Sequence, residues 1–395
     1  MLLKSCLSAA LLASCLVPVA ADAQGPVLLG VDHFASQPPS WAIGKRCGVL
    51  TNDGALDSQG TAVADRLAKS TQFKVVSFFA PEHGLSVDRQ GTIGDGQRQG
   101  IPIYSLYGER KAPTVAQLQP LDMLVCDLPD VGARFYTYAS TMSLAMQAAK
   151  RAHRRFVVLD RPNPINGTAI EGPILQAPLF SFVGLYPIPI RHGMTMGELA
   201  RLFNSAYGIG CDLQVMAMTG WQRTMWHDDT GLPWGRPSPA MKSLTSAMVY
   251  PGMCLFEATN LDCRVGEVAF STVAAPWLDA QSVVTDLQRT ASPGVSFAAT
   301  DWPQGHGITL TVSDRQAFQP VRTAWALLAA IHRRHPVDLH IEPKGFDRLN
   351  GDSTVRQRLL AGAPAETFGD GDATPGYRRF LSQRQAALLY PDRPH

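Results

Sequence analysis

Four short runs constrain this chain most: CGVLT at 47–51, KVVSFF at 74–79, MLVCD at 123–127 and FVVLD at 156–160. Each is apolar at successive positions, not alternate ones, so a strand built from it must be covered on both faces. Helical stretches lie between them at 59–69, 114–118 and 138–151, the last carrying Met142, Leu144, Ala145, Met146 and Ala149. Strand–helix–strand alternation of this kind predicts a parallel sheet with helices on both sides. A further helix over 198–205 and a strand over 211–218 complete an expected Rossmann-like domain at 26–220. Past Trp221 the texture changes. Residues 226–239 (WHDDTGLPWGRPSP) read as a boundary or a substrate-facing loop, 308–312 (ITLTV) alternates like a half-buried strand, and 323–333 is an amphipathic helix. The fold class expected is therefore α/β: a Rossmann-like N-terminal domain, then a smaller α+β domain over 221–395 that completes a cleft.

Composition supports a packed chain, with 45% hydrophobic residues against 17% charged. The net charge of +2 gives no broad electrostatic field, so nucleic acid is not an expected partner. Residues 1–23 run from Lys4 through an apolar stretch to Ala21-Asp22-Ala23, the order of a secretory signal peptide. Leu12-Ala13-Ser14-Cys15 offers a second reading as a lipid-anchor site at Cys15. The apolar run continues to Ala20 and an A-x-A site follows, which favours ordinary cleavage. No later segment approaches the roughly 18–20 apolar residues of a membrane span, so the expected location is exported, periplasmic or secreted. Cys47, Cys126, Cys211, Cys254 and Cys263 follow the leader; Cys47 and Cys126 sit in strand-like runs, and Cys254 and Cys263 flank a loop across which they could pair. The cysteines lack zinc-type spacing, and the glycines of 91–100 lack both the strand-to-helix context and the spacing of a dinucleotide loop, so neither metal nor cofactor is expected.

Open parallel sheets bind ligands outside the carboxyl ends of their strands, and here those ends are polar. The first runs into Thr51-Asn52-Asp53-Gly54, the second into Ala80-Pro81-Glu82-His83-Gly84. The third ends in 127–138, with Asp130, Arg134, Tyr136 and Tyr138; the fourth ends in 160–167, with Asp160, Arg161, Asn163 and Asn166. Taken singly, each has a plain structural reading: a turn for Asn52-Asp53, an ion pair for Glu82, a pinned loop for Arg134, a rigid proline turn for 160–164. Arg191 and His192 precede Thr195, a natural N-cap for the next helix. Convergence on one rim is what points to a site.

These strand ends also carry longer blocks: GVLTNDGA at 48–55, FFAPEHGL at 78–85, IPIYSLYGE at 101–109, DLPDVGARFYTYASTM at 127–142, FVVLDRPNPINGTAIEGP at 156–173 and SFVGLYPIPIRHGMTMGELA at 181–200. With LFEATN at 255–260, APW at 275–277 and GFDRL at 345–349, the chain resembles the NamZ-like exo-β-N-acetylmuramidases, a family long carried as a domain of unknown function. The resemblance spans most of 43–350. It implies an active site between a Rossmann-like domain and a smaller one, and release of terminal N-acetylmuramic acid from the non-reducing end of peptidoglycan fragments. The chain departs from the family at 258–267, where Ala258 replaces a usual glycine and Cys263 interrupts a Gly-rich, Ser/Arg-containing segment.

Glycoside hydrolysis needs an acid for the departing oxygen and usually a second carboxylate. The resemblance puts the acid at Glu82, with His83 to orient it. Asp130, Asp160, Glu171 and Glu257 are candidates for the second group, unless the sugar's own 2-acetamido group serves. Arg134, Arg161 and Arg191 suit a lactyl carboxylate. Asn52, Asn163, Asn166, His192 and Asn260 suit hydroxyls or the acetamido group, and Tyr136, Tyr138, Trp234 and Trp277 suit apolar walls. Two other readings stay open on the residues: cleavage of the lactyl ether, and a cell-wall sugar receptor without turnover.

Overall fold

The computed structural model describes residues 25–391 except 89–90, 92, 290–291, 303–304 and 370–373; the expected leader and Cys15 lie outside the described residues. The large sheet is built from β1 (Arg46–Thr51), β2 (Lys74–Ala80), β3 (Gly96–Arg98), β4 (Ile101–Ser105), β5 (Met123–Asp127), β6 (Arg155–Leu159) and β7 (Leu213–Met216). Its seven strands run β3-β4-β2-β1-β5-β6-β7, all parallel except the edge strand β3. The chain goes outward from β1 through β2 to β4, then crosses back to place β5 on the other side of β1. That reversal makes the crevice outside β1 and β5 the sheet's topological switch point.

The doubly apolar strands are the cause of this layering. Val49, Val125 and Val157 face one hydrophobic cluster, while Leu50, Cys126 and Val158 face another. Helix Tyr138–Arg151 covers the second face with Met142, Ala145, Met146 and Ala149, at the i, i+3, i+4, i+7 spacing of one helix side. Its last turn carries Lys150 and Arg151, which suit the negative end of the helix dipole.

A second, antiparallel sheet has the order β8-β10-β9, from β8 (Thr272–Ala275), β9 (Val295–Trp302) and β10 (Gly305–Val312). Helices Leu244–Met253, Ala280–Leu287 and Pro320–Arg334 pack with it. Its core residues Val273, Ile308, Trp325 and Leu328 belong to the same cluster as Leu50 and Phe156, so the two sheets share one continuous core. The 226–241 segment lies across the carboxyl edge of the large sheet. There Gly235 meets the main chain of Gly54 so closely that neither position has room for a Cβ. The last described residues also return to the large sheet: Tyr390 packs edge-on against Trp221 (centroids 5.0 Å) and donates to Asp160 Oδ2 at 2.7 Å.

The five cysteines among the described residues are all buried and free, including Cys254 and Cys263. The expected possibility of a bridge between those two is therefore corrected: both thiols are held in the core.

Candidate active site

β2 delivers Glu82 to the rim, and the chain then turns sharply. His83 (φ 72°) and Gly84 (φ 74°) are both left-handed, and the Gly84 amide donates back to Pro81 O at 3.0 Å. A histidine pays a steric cost in that conformation, so the turn that presents Glu82 is held by its surroundings. The Glu82 side chain is half-buried. Thr137 Oγ1 donates to its Oε2 at 2.6 Å, and the Tyr138 hydroxyl lies 3.1 Å from its main-chain oxygen. Tyr107 stands on another side: burial first, then hydrogen bonding to Glu82 and its negative charge, push that phenol up to about 12.

Tyr138 ties several strand ends together. Asn52 Nδ2 donates to its hydroxyl at 2.8 Å, while the phenol proton has Pro237 O at 2.5 Å as its nearest acceptor. Asn52 Oδ1 in turn accepts from the Gly54 amide at 3.1 Å. The aromatic wall continues from Tyr138 to Tyr136 (4.7 Å) and from Tyr136 to Tyr250 (6.0 Å), which sits on helix Leu244–Met253. Glu257, just beyond that helix, is exposed and accepts from Arg264 Nε at 2.8 Å. Glu82, Thr137, Tyr138, Asn52, Tyr136 and Tyr250 thus form one connected cluster reaching from the large sheet into the second unit.

The switch point itself holds a separate small cavity of about 40 Å³, lined by Gly54, Asp130, Arg161, His227, Trp234 and Pro237 among others. Roughly two or three water molecules would fill that volume, which is too little for a sugar ring. Asp130 Oδ1, Arg161 Nη2 and His227 Nε2 are buried there without a protein partner. Asp130 Oδ2 accepts from the Gly132 amide at 2.9 Å and lies 3.4 Å from His192 Nε2. Arg161 Nε pairs with Asp127, whose carboxyl is raised mainly by burial.

The remaining candidates are engaged inside the protein. Asp160 is fully buried and accepts four hydrogen bonds, from the Arg161 and Gly197 amides and from the Thr195 and Tyr390 hydroxyls. Burial is the largest cause raising it from 3.8 to about 6. Glu171 accepts from Arg191 Nη1 at 2.8 Å and from the Val321 amide, in the first turn of helix Pro320–Arg334, at 3.3 Å. Arg191 also donates to Ile165 O. Arg134 donates to the carbonyls of Pro173, Ile188 and Leu349, and burial lowers it to about 9. Asn163 bridges Met194 O and the Ile165 amide, and Asn166 closes a turn onto Thr168 and Ala169. Asn260 pairs both ends of its amide with the 338–340 main chain. Trp234 donates to Met241 O, and Trp277 packs on His335. Tyr107, Thr137, Tyr250 and His227 were given no role from sequence, although the first two lie within the quoted blocks.

A half-buried glutamate at the carboxyl edge of a Rossmann-like sheet, held by Thr137, Tyr138 and Tyr107 and backed by a second packed unit, marks a two-domain α/β protein with a candidate acid at its sheet edge. The chain belongs to the exo-β-N-acetylmuramidase NamZ family, matching its N-terminal description over residues 47–245 and its C-terminal description over 248–390. It is 40% identical over 379 residues to the peptidoglycan β-N-acetylmuramidase NamZ of Bacillus subtilis, covering 92% of this chain and 91% of that one. Crystal structures of two DUF1343 family proteins from Bacteroides fragilis have the same fold. One aligns with a TM-score of 0.82 at 29% identity (92% of this chain, 99% of the other), the second with 0.72 at 27% (93% and 100%).

Proposed function

We propose that this protein is an exported, exo-acting glycoside hydrolase that releases terminal N-acetylmuramic acid from the non-reducing end of peptidoglycan fragments, with Glu82 as general acid. Family membership supports the reaction. The observation that carries the assignment of the acid is the placement of Glu82: a half-buried carboxyl beside Thr137, Tyr107 and Tyr138, at the carboxyl edge of the large sheet. Partial enclosure of this kind suits a carboxyl that must give a proton to a leaving oxygen.

The partners of the other carboxylates favour the substrate's own acetamido group as the internal nucleophile. Asp160 and Glu171 are tied into buried networks, Asp130 opens on the separate small cavity, and Glu257 is paired with Arg264. In this reading Glu82 protonates the glycosidic oxygen while the acetamido carbonyl attacks the anomeric carbon, and water then opens the ring so formed, with Glu82 taking the proton back. Tyr136 and Tyr250 back the wall behind Tyr138.

Incubation with a synthetic disaccharide bearing β-linked N-acetylmuramic acid at its non-reducing end, followed by mass identification of products, tests the proposal. Intact N-acetylmuramic acid is expected. Free lactate with an otherwise intact disaccharide would indicate ether cleavage instead, and saturable binding without any product would indicate a receptor.

A further inference from the structure

N-acetylmuramic acid differs from N-acetylglucosamine by the lactyl ether on O3, which hangs a carboxylate on the ring two carbons away from the anomeric centre. A cation within about one sugar ring of the acid would let an enzyme select the former. The guanidinium groups expected for this task are buried and turned away from Glu82: Arg134 onto carbonyls, Arg161 onto Asp127 with one Nη facing the separate small cavity, and Arg191 onto Glu171. Others around the cleft are paired too, Arg98 with Asp53 and Asp65, Arg110 with Asp95, and Arg264 with Glu257.

Lys111 is different. Its ammonium sits 3.8 Å from the centroid of Tyr107 and 4.5 Å from that of Phe182, and no carboxylate of the described residues pairs with it. The two rings lie 6.3 Å apart and hold the ammonium over their faces. Tyr107 is also the residue against Glu82, so a single aromatic ring separates the unpaired cation from the proposed acid. An ammonium over π faces keeps its charge and retains N–H donors for an incoming anion.

We infer that Lys111, clamped between Tyr107 and Phe182, binds the lactyl carboxylate of the terminal sugar and so sets the preference for muramic acid. This rests on the muramidase reading for its substrate and on Glu82 for its position. A charge-assisted pair of this kind is a discrimination of about 10- to 100-fold.

The test compares the 4-nitrophenyl β-glycoside of N-acetylmuramic acid with its lactyl methyl ester. In Lys111→Gln the acid-over-ester ratio of kcat/KM should fall by about 10- to 100-fold, mostly through KM. Lys111→Arg should restore most of the ratio. A ratio in Lys111→Gln within about twofold of wild type overturns the assignment. Calorimetry of the two glycosides on Glu82→Gln protein, with and without Lys111→Gln, reads the same discrimination without turnover. Selective binding of the acid that Lys111→Gln abolishes supports the assignment even if the glycosidase reading fails. Equal binding of acid and ester sinks it even if muramic acid is released.

Discussion

Glu82 and Asp160 show how similar strand-end carboxyls acquire opposite roles. Glu82 stays half-buried at the sheet edge, whereas Asp160 is saturated with four donors beneath the returning C-terminal segment. Burial raises Asp160 to about 6 in the folded chain, so the folded state binds that proton more tightly than the unfolded one. The contribution to stability is complete below pH 4 and is lost as pH rises through 6, a loss of about 3 kcal/mol. Denaturant unfolding of wild type and Asp160→Asn between pH 4 and 7.5 should show wild type losing ground to the variant across that window. A pH-independent difference would contradict this. Side-chain direction is what the sequence leaves unread at this scale. Arg134, Arg161 and Arg191 have the right chemistry for a carboxylate, but each turns inward to satisfy a carbonyl or an acid. Lys111, in the same stretch of chain as Tyr107, has no motif to announce it.

At the scale of elements, the doubly apolar runs placed β1, β2, β5 and β6 to within a residue or two, because burial on both faces leaves a plain pattern. β4 was not legible: Ile101-Pro102-Ile103-Tyr104-Ser105 contains a proline and is half-buried. The structure accommodates Pro102 before the pairing with β2 begins, at Ile103. The 226–239 segment was legible as a boundary or loop, but not its seat on Tyr138. That seat depends on Gly235, whose main chain meets Gly54 with no room for a Cβ. Gly235→Ala must lift the segment and pull Pro237 from the Tyr138 hydroxyl, and hence loosen the support of Glu82. The variant should lose about 1–3 kcal/mol of stability and at least about tenfold in kcat, an order of magnitude set by misplacement of a catalytic group. Thermal melts and steady-state kinetics check both. Full activity with an unshifted melt would show that the segment does not position the acid.

For the whole molecule, the expected division near residue 221 follows composition, whereas the core is continuous across both sheets. That continuity could not be read locally, because it depends on helices from 244 onward packing against strands laid down far earlier. That core encloses Cys126, Cys211, Cys254 and Cys263, and the cluster on the other face of the large sheet encloses Cys47. Burial pushes Cys47 and Cys263 up to about 12 and Cys211 to about 11. Protein lacking residues 1–23 should therefore react negligibly with Ellman's reagent at pH 8 when folded, and release five equivalents when denatured without reductant. Three equivalents on denaturation would reveal a bridge.

The central claim is that Glu82 donates the proton for glycosidic cleavage. The most direct measurement is the rate of N-acetylmuramic acid release by Glu82→Gln beside its thermal midpoint. The account predicts a loss of at least about a hundredfold in kcat with a midpoint close to wild type; turnover comparable to wild type in a folded variant would contradict it.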